Sequence, residues 1–140
     1  MRGRVLLDTG PLVALLSRRD RFHEWATIQW GTIRPPALTC EPVLTETMFL
    51  IAGNIAASEA LLEMLNRKVL ETPFRATDHP AALSRLMRKY SDVPMSFADA
   101  CLVRMSELYP DSTLVTFDGD FRVYRRHGRQ SIPLLMPPSE

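Results

Sequence analysis

Residues 3–8, GRVLLD, and 112–118, STLVTFD, are short and nearly continuous in apolar character, and each stops at an aspartate. A strand with one solvated face alternates apolar and polar residues, so a run without that alternation reads as a strand buried on both faces. Amphipathic segments fill the chain between them. Residues 11–19 read as a helix with Pro11 in its first turn and Asp8 or Thr9 as its cap. Further helices are expected over 20–33, over 41–53, over 56–68, over 77–92 with Asp78 or His79 before Pro80, and from Phe97 to Tyr109. Brief strands are expected at 36–40 and 69–72, and a short helix or turn at 119–128. A last strand at 131–137 is restricted to the sheet edge by Pro133. Strands alternating with helices make a parallel α/β sheet covered on both faces, here within one domain spanning 1–140. Such sheets take ligands beyond the carboxyl ends of their strands, near the point where strand order reverses.

At 140 residues and 46% hydrophobic, the chain can bury a core without disulfides or a structural metal. Its net charge of +1 does not announce a nucleic-acid partner through the field of the whole molecule. The basic residues are uneven in kind: fifteen of the seventeen are arginine, and FRVYRRHGR (121–129) holds four of them beside two aromatics. Arginine suits bidentate phosphate contacts, and the same segment also fits a solvated face. Cys40 and Cys101 form no C-x-x-C motif, so two buried thiols in a reducing cytosol are expected. The basic, apolar start is broken by Asp8, Gly10 and Pro11 and leads into SRRD, which does not read as a signal peptide. No apolar run reaches the length of a bilayer span, and a cytoplasmic location is expected.

Four acids sit in awkward places. Asp8 and Asp118 end the two clear strands, so both carboxylates emerge at one sheet edge if those strands are parallel and central. Each also has a plainer reading, Asp8 as a helix cap and Asp118 before Gly119 as a turn. Asp99 lies on the helix whose expected buried stripe is Phe97, Cys101, Met105 and Leu108, outside the centre of that stripe. With Ser96 it also spells an S-x-x-D capping box. Glu46 shares its helix with Val43, Leu44, Met48, Phe49, Leu50 and Ile51, a helix apolar enough to be buried between the sheet and another element. A glutamate there needs a partner, and no Lys or Arg occurs between Arg34 and Arg67.

Gathered at one edge, four carboxylates would repel one another unless a cation sat among them. All-oxygen ligation favours magnesium or manganese over zinc, and His23, His79 and His127 show no metal-ligand spacing. Carboxylate-held metal beside a phosphate is a recurring arrangement for phosphodiester cleavage.

The stretches LLDTGPLVALL, LTETMFL, MSFADACLVRM and TFDGDF, in this order and spacing, resemble the PIN-domain nucleases, particularly the single-domain VapC-type toxins of toxin–antitoxin pairs. The resemblance runs from the first strand to the last. It implies a three-layer α/β/α sandwich with a central parallel sheet and a Mg2+- or Mn2+-dependent endoribonuclease site. On that likeness Asp8, Glu46, Asp99 and Asp118 are the catalytic, metal-holding quartet. Thr9, Ser96 and Thr116 are candidates to orient carboxylates or water. Asp120 is either a supporting acid or a solvated turn residue, and Arg122, Arg125 and Arg126 are candidates to track RNA phosphates. The implied partners are an RNA substrate, a cognate antitoxin and a second copy in a homodimer, with no membrane. For Trp25 and Trp30, core packing is the default.

Other readings fit less. D-T-G after two leucines also resembles the aspartate loop of a retroviral-type protease, but that fold is all β and this chain has at least four helical segments. A magnesium-binding receiver-like domain ends a central strand in an aspartate, yet it needs a lysine near a later strand end, and none is found there. A noncatalytic interaction domain of the same fold would not need an intact acidic quartet. No phosphate-binding glycine loop is present.

Overall fold

The computed structural model describes residues 3–139. In chain order the elements are β1 (Val5–Leu7), α1 (Thr9–Leu16), α2 (His23–Thr32), β2 (Ala37–Leu38), α3 (Glu41–Leu50), α4 (Ile55–Asn66), β3 (Leu70–Glu71), α5 (Pro80–Lys89), α6 (Phe97–Leu108), β4 (Thr113–Val115), β5 (Arg125–Arg126), β6 (Gln130–Ser131) and β7 (Leu134–Leu135). The local signals act where expected. Proline stands in the first turn of both α3 and α5, where its missing N–H breaks no helical bond. Asn54 accepts from Ala57 N–H at 3.1 Å to open α4, and Ser96 accepts from Asp99 N–H at 3.0 Å to open α6.

Five strands form one parallel sheet in the order β3-β2-β1-β4-β7. Leu6 is central, paired with Leu38 on one side and Leu114 on the other. Val5, Leu6 and Leu7 are all buried, so helices cover both faces of the sheet in an α/β/α sandwich, which is why this strand carries no polar alternation. The chain walks outward from β1 to β3, then returns to lay β4 and β7 on the opposite side. Strand order therefore reverses between β1 and β4, the strands followed by Asp8 directly and by Asp118 three residues on. Trp25 and Trp30 pack, partly buried, against the core. Cys40 and Cys101 are free and buried. Among the described residues, no helix is long and apolar enough to cross a membrane.

Several expectations are corrected. The α6 stripe is wider than expected and loses its ends: Cys101 and Met105 are buried as expected, Phe97 and Leu108 are exposed, and Leu102 and Ser106, on the Asp99 side, are buried as well. This helix is enclosed around most of its girth by α3, α5, β1, β4 and β5, so a narrow stripe is the wrong expectation. The reverse holds for α3, which buries only Val43 and Thr47 and leaves Phe49 at 77% exposed and Glu46 on the surface. Residues 119–128 form one 3-10 turn, Gly119–Arg122, and then enter the antiparallel β5/β6 hairpin, turned by the positive φ of His127 and Gly128. The expected single strand at 131–137 is split: its start belongs to that hairpin, and only Leu134–Leu135 joins the main sheet, at the edge.

Arg126, a candidate phosphate contact, is 6% exposed. Its guanidinium donates to the carbonyls of Pro110 and Ser112 and to the Ser112 hydroxyl, at 3.0, 3.3 and 3.2 Å. It ties the hairpin to the turn before β4 and cannot reach a phosphate. Replacing it strands those acceptors, which costs about 1–3 kcal/mol. Arg126→Met is therefore expected to lower the thermal unfolding midpoint by several degrees, while exposed Arg122→Ala leaves it unchanged; equal midpoints in calorimetry would remove the anchoring role.

Candidate active site

The parallel ladder continues past β1, with Asp8 N–H donating to the Val115 carbonyl at 3.0 Å. This sets the Asp8 side chain beside the residue that follows β4. Thr116 is fully buried, and its hydroxyl donates to Asp8 Oδ2 at 2.7 Å, while Thr9 N–H donates to Asp8 Oδ1 at 2.8 Å. Thr116 Oγ1 also accepts from Asp118 N–H at 3.0 Å. One hydroxyl thus fixes the Asp8 carboxylate and the backbone that carries Asp118. Phe117 between them packs against Phe22 at 4.9 Å and Trp25 at 5.8 Å between ring centroids. Gly10 lets this happen, because a β-carbon there would lie 2.9 Å from Phe117 Cδ2.

The other two acids arrive on helices. Asp99 sits in the first turn of α6, and Glu46 on α3 accepts from the Thr9 hydroxyl at 3.2 Å. Asp8, Glu46, Asp99 and Asp118 line one open cleft of about 500 Å³ with Thr9, Gly10, Leu50, Pro94, Ser96, Phe117 and Asp120. No Lys, Arg or His is among these lining residues. The negative charge is met by hydroxyl and amide donors, which orient carboxylates without neutralising them.

The electrostatic consequence falls hardest on Asp8. Burial pushes its carboxyl up to about 6, and the charges of Asp99 and Asp118 add to that rise, against the opposing bonds from Thr116 and Thr9. Asp99 is also raised, mainly by burial, while hydrogen bonds from Tyr124 and Ser96 hold it down.

The PIN-domain family model matches residues 5–126. The chain belongs to the PIN-domain family. Its fold is similar to that of VapC20 of Mycobacterium tuberculosis, described as a toxin cleaving the sarcin–ricin loop. The two share 24% identity at a TM-score of 0.74, over 85% of this chain and 93% of that one. Among curated proteins, none matches the sequence.

In this PIN domain the four expected acids do share one site, but not in the surroundings expected for each. Glu46 is exposed, and its partner is the Thr9 hydroxyl. Ser96 acts as a cap, its hydroxyl accepting from Asp99 N–H, so the capping box and the acid site are one construction. Asp120 lines the cleft and donates its N–H to Asp118 Oδ1 at 2.9 Å. Arg125, half-buried, donates to the carbonyls of Arg122 and Tyr124 at 2.6 and 3.1 Å, which leaves Arg122 as the exposed arginine of the three. Nothing in the sequence marks Tyr124, which lies in an arginine-rich run, yet its hydroxyl donates to Asp99 Oδ2 at 2.8 Å. Among the described residues, no three His, Cys, Asp or Glu side chains close into a ready-made metal cage. What fits a cation is the donor set itself: hard carboxylate oxygens around a cleft with no basic residue in its lining.

A carboxyl raised in the fold binds its proton more tightly there than in the unfolded chain, so its ionisation destabilises the fold. Stability is favoured below about pH 4 and falls as pH rises toward 6. At neutral pH, with no cation bound, ionised Asp8 costs on the order of 3 kcal/mol. Asp8→Asn is therefore expected to raise the unfolding midpoint by a few degrees at pH 7.5 in chelator, with the gain shrinking toward pH 4. A midpoint that drops at pH 7.5 would contradict the assigned burial cost.

Proposed function

We propose that this PIN domain is a Mg2+- or Mn2+-dependent endoribonuclease that cleaves RNA phosphodiester bonds as the toxin of a toxin–antitoxin pair. The observation that carries the reading is the meeting of Asp8, Glu46, Asp99 and Asp118, from four separate elements, in one cleft without a basic lining residue. The chain resembles the PIN-domain nucleases and belongs to that family, and VapC20, which shares the fold, is described as cleaving the sarcin–ricin loop. Both support RNA as the substrate here. A cytoplasmic location, a cognate antitoxin and a homodimer belong to the same proposal.

Asp8, Asp99 and Asp118 would hold the cation, with Glu46 at the rim. When bound it supplies charge neutralisation and activation of a water for in-line displacement at phosphorus. The protein's own contribution is orientation. Thr116 and Thr9 N–H lock both oxygens of Asp8, so its remaining lone pairs face the cleft. The Thr9 hydroxyl holds Glu46, where a mobile glutamate would swing into solvent. Asp118 is exposed where substrate would approach, and Arg122, exposed on the adjoining turn, would be the arginine free to meet a phosphate of the bound strand. The receiver-like reading lacks its lysine, since Lys89 donates to the Gly128 carbonyl and neither lysine lines the cleft.

The test is cleavage of structured and unstructured RNA by purified protein in Mn2+, in Mg2+ and in chelator. Cuts are expected with either metal, none in chelator, and a fall of at least 100-fold in Asp8→Asn and in Asp99→Asn, as removal of a charge-stabilising group predicts. Metal-independent cleavage, or full activity in Asp8→Asn, would reject the mechanism.

A further inference from the structure

A single stretch, residues 116–124, reaches three of the four carboxylates. Thr116 donates to Asp8, Asp118 lies within it, and Tyr124 donates to Asp99. The placement of Tyr124 is over-determined. Its ring is 0% exposed, set edge-on to Tyr90 at 5.0 Å and 65° and perpendicular to Phe121 at 5.1 Å and 90°. Its backbone N–H donates to the Asp120 carbonyl at 3.2 Å. Tyr90 is held in turn, its hydroxyl accepting from Arg125 N–H at 3.0 Å. The next residue, Arg126, is tied to the turn before β4. A rigid ring on a fixed backbone therefore presents one hydroxyl to Asp99.

The capping box alone does not need this contact. A capping aspartate needs only the Ser96 N–H, which engages one carboxylate oxygen and leaves the other without a fixed partner. A second donor, fixed in space and bonded to a charged acceptor, removes that freedom and decides which lone pairs face the cleft. We infer that Tyr124 is a positioning residue: through its hydroxyl it holds Asp99 in the orientation that receives the divalent cation. The inference rests on the metal-dependent reading above. Partners that orient a metal-holding carboxylate from outside typically change metal affinity 10–100-fold when lost.

The test is Tyr124→Phe, which keeps the ring and deletes only the donor. Tyr90→Phe is the control, deleting a hydroxyl in the same aromatic cluster without touching Asp99. Mn2+ affinity is measured by titration calorimetry, unfolding midpoints are taken in chelator, and RNA cleavage is followed across Mn2+ concentrations. Tyr124→Phe is expected to bind Mn2+ at least about 10-fold more weakly, with an unfolding midpoint no lower than that of the control. Its cleavage should be recovered in part by raising Mn2+. Tyr90→Phe is expected to bind as the parent does, and adding Tyr124→Phe to Asp99→Asn should weaken Mn2+ binding no further. Parental affinity in Tyr124→Phe, or an equal loss in Tyr90→Phe, overturns the role. If the parent binds Mn2+ but cuts no RNA, the nuclease reading falls while the affinity comparison still decides on Tyr124. If the parent binds no Mn2+, both fall.

Discussion

Two parallel strands end side by side with an aspartate after each, and one buried threonine hydroxyl joins them. Much of the site follows from that contact. It lies where the strand order reverses, the one place on this sheet edge where the two adjoining chain connections lead away in opposite directions and leave a crevice. Because the strands are parallel, every acid carried past their ends lands on the same side. Because Thr116 is neutral, the arrangement gains orientation without losing charge. The result is a crevice more negative than the protein can compensate, and burial of Asp8 makes that excess a direct charge against stability.

The second half of the molecule makes this bearable. The chain after β4 turns at Asp118, packs Phe121 and Tyr124 into the core and is pinned by Arg126 to the turn before β4. An arginine-rich segment that looks like a phosphate surface in the sequence is in part internal bracing. Arg126 is buried among carbonyls and Arg125 is engaged with the carbonyls of its own turn, while Arg122 and Arg129 face outward. The same guanidinium that would grip a phosphate grips carbonyl oxygens when it is enclosed, since its planar fork of donors serves either acceptor. The acid site is therefore held from two directions, by the sheet beneath it and by a braced turn above it.

Most elements were legible from local patterning, because apolar runs, prolines in first helical turns and the serine cap of α6 act within a few residues of themselves. The identities of Asp8, Asp99 and Asp118 were legible too, since strand-end and cap positions can be read from their neighbours. Environment was not. The helix bearing Glu46 has the composition of a buried helix yet leaves Phe49 and Leu50 in solvent, because exposure depends on what other elements cover it. The exposed end residues of α6 and the hairpin at residues 125–131 were missed for the same reason: one depends on five packing neighbours, the other on a positive φ at His127 that no propensity demands. By itself the amino-acid order determined the six helices and the placement of the main-sheet strands, and that acids stand at their ends. Only the tertiary structure decided that those acids meet, that Arg126 turns inward and that Tyr124 reaches Asp99, because these contacts join residues 14 to 108 positions apart, and local chemistry does not encode which distant partner a side chain will face.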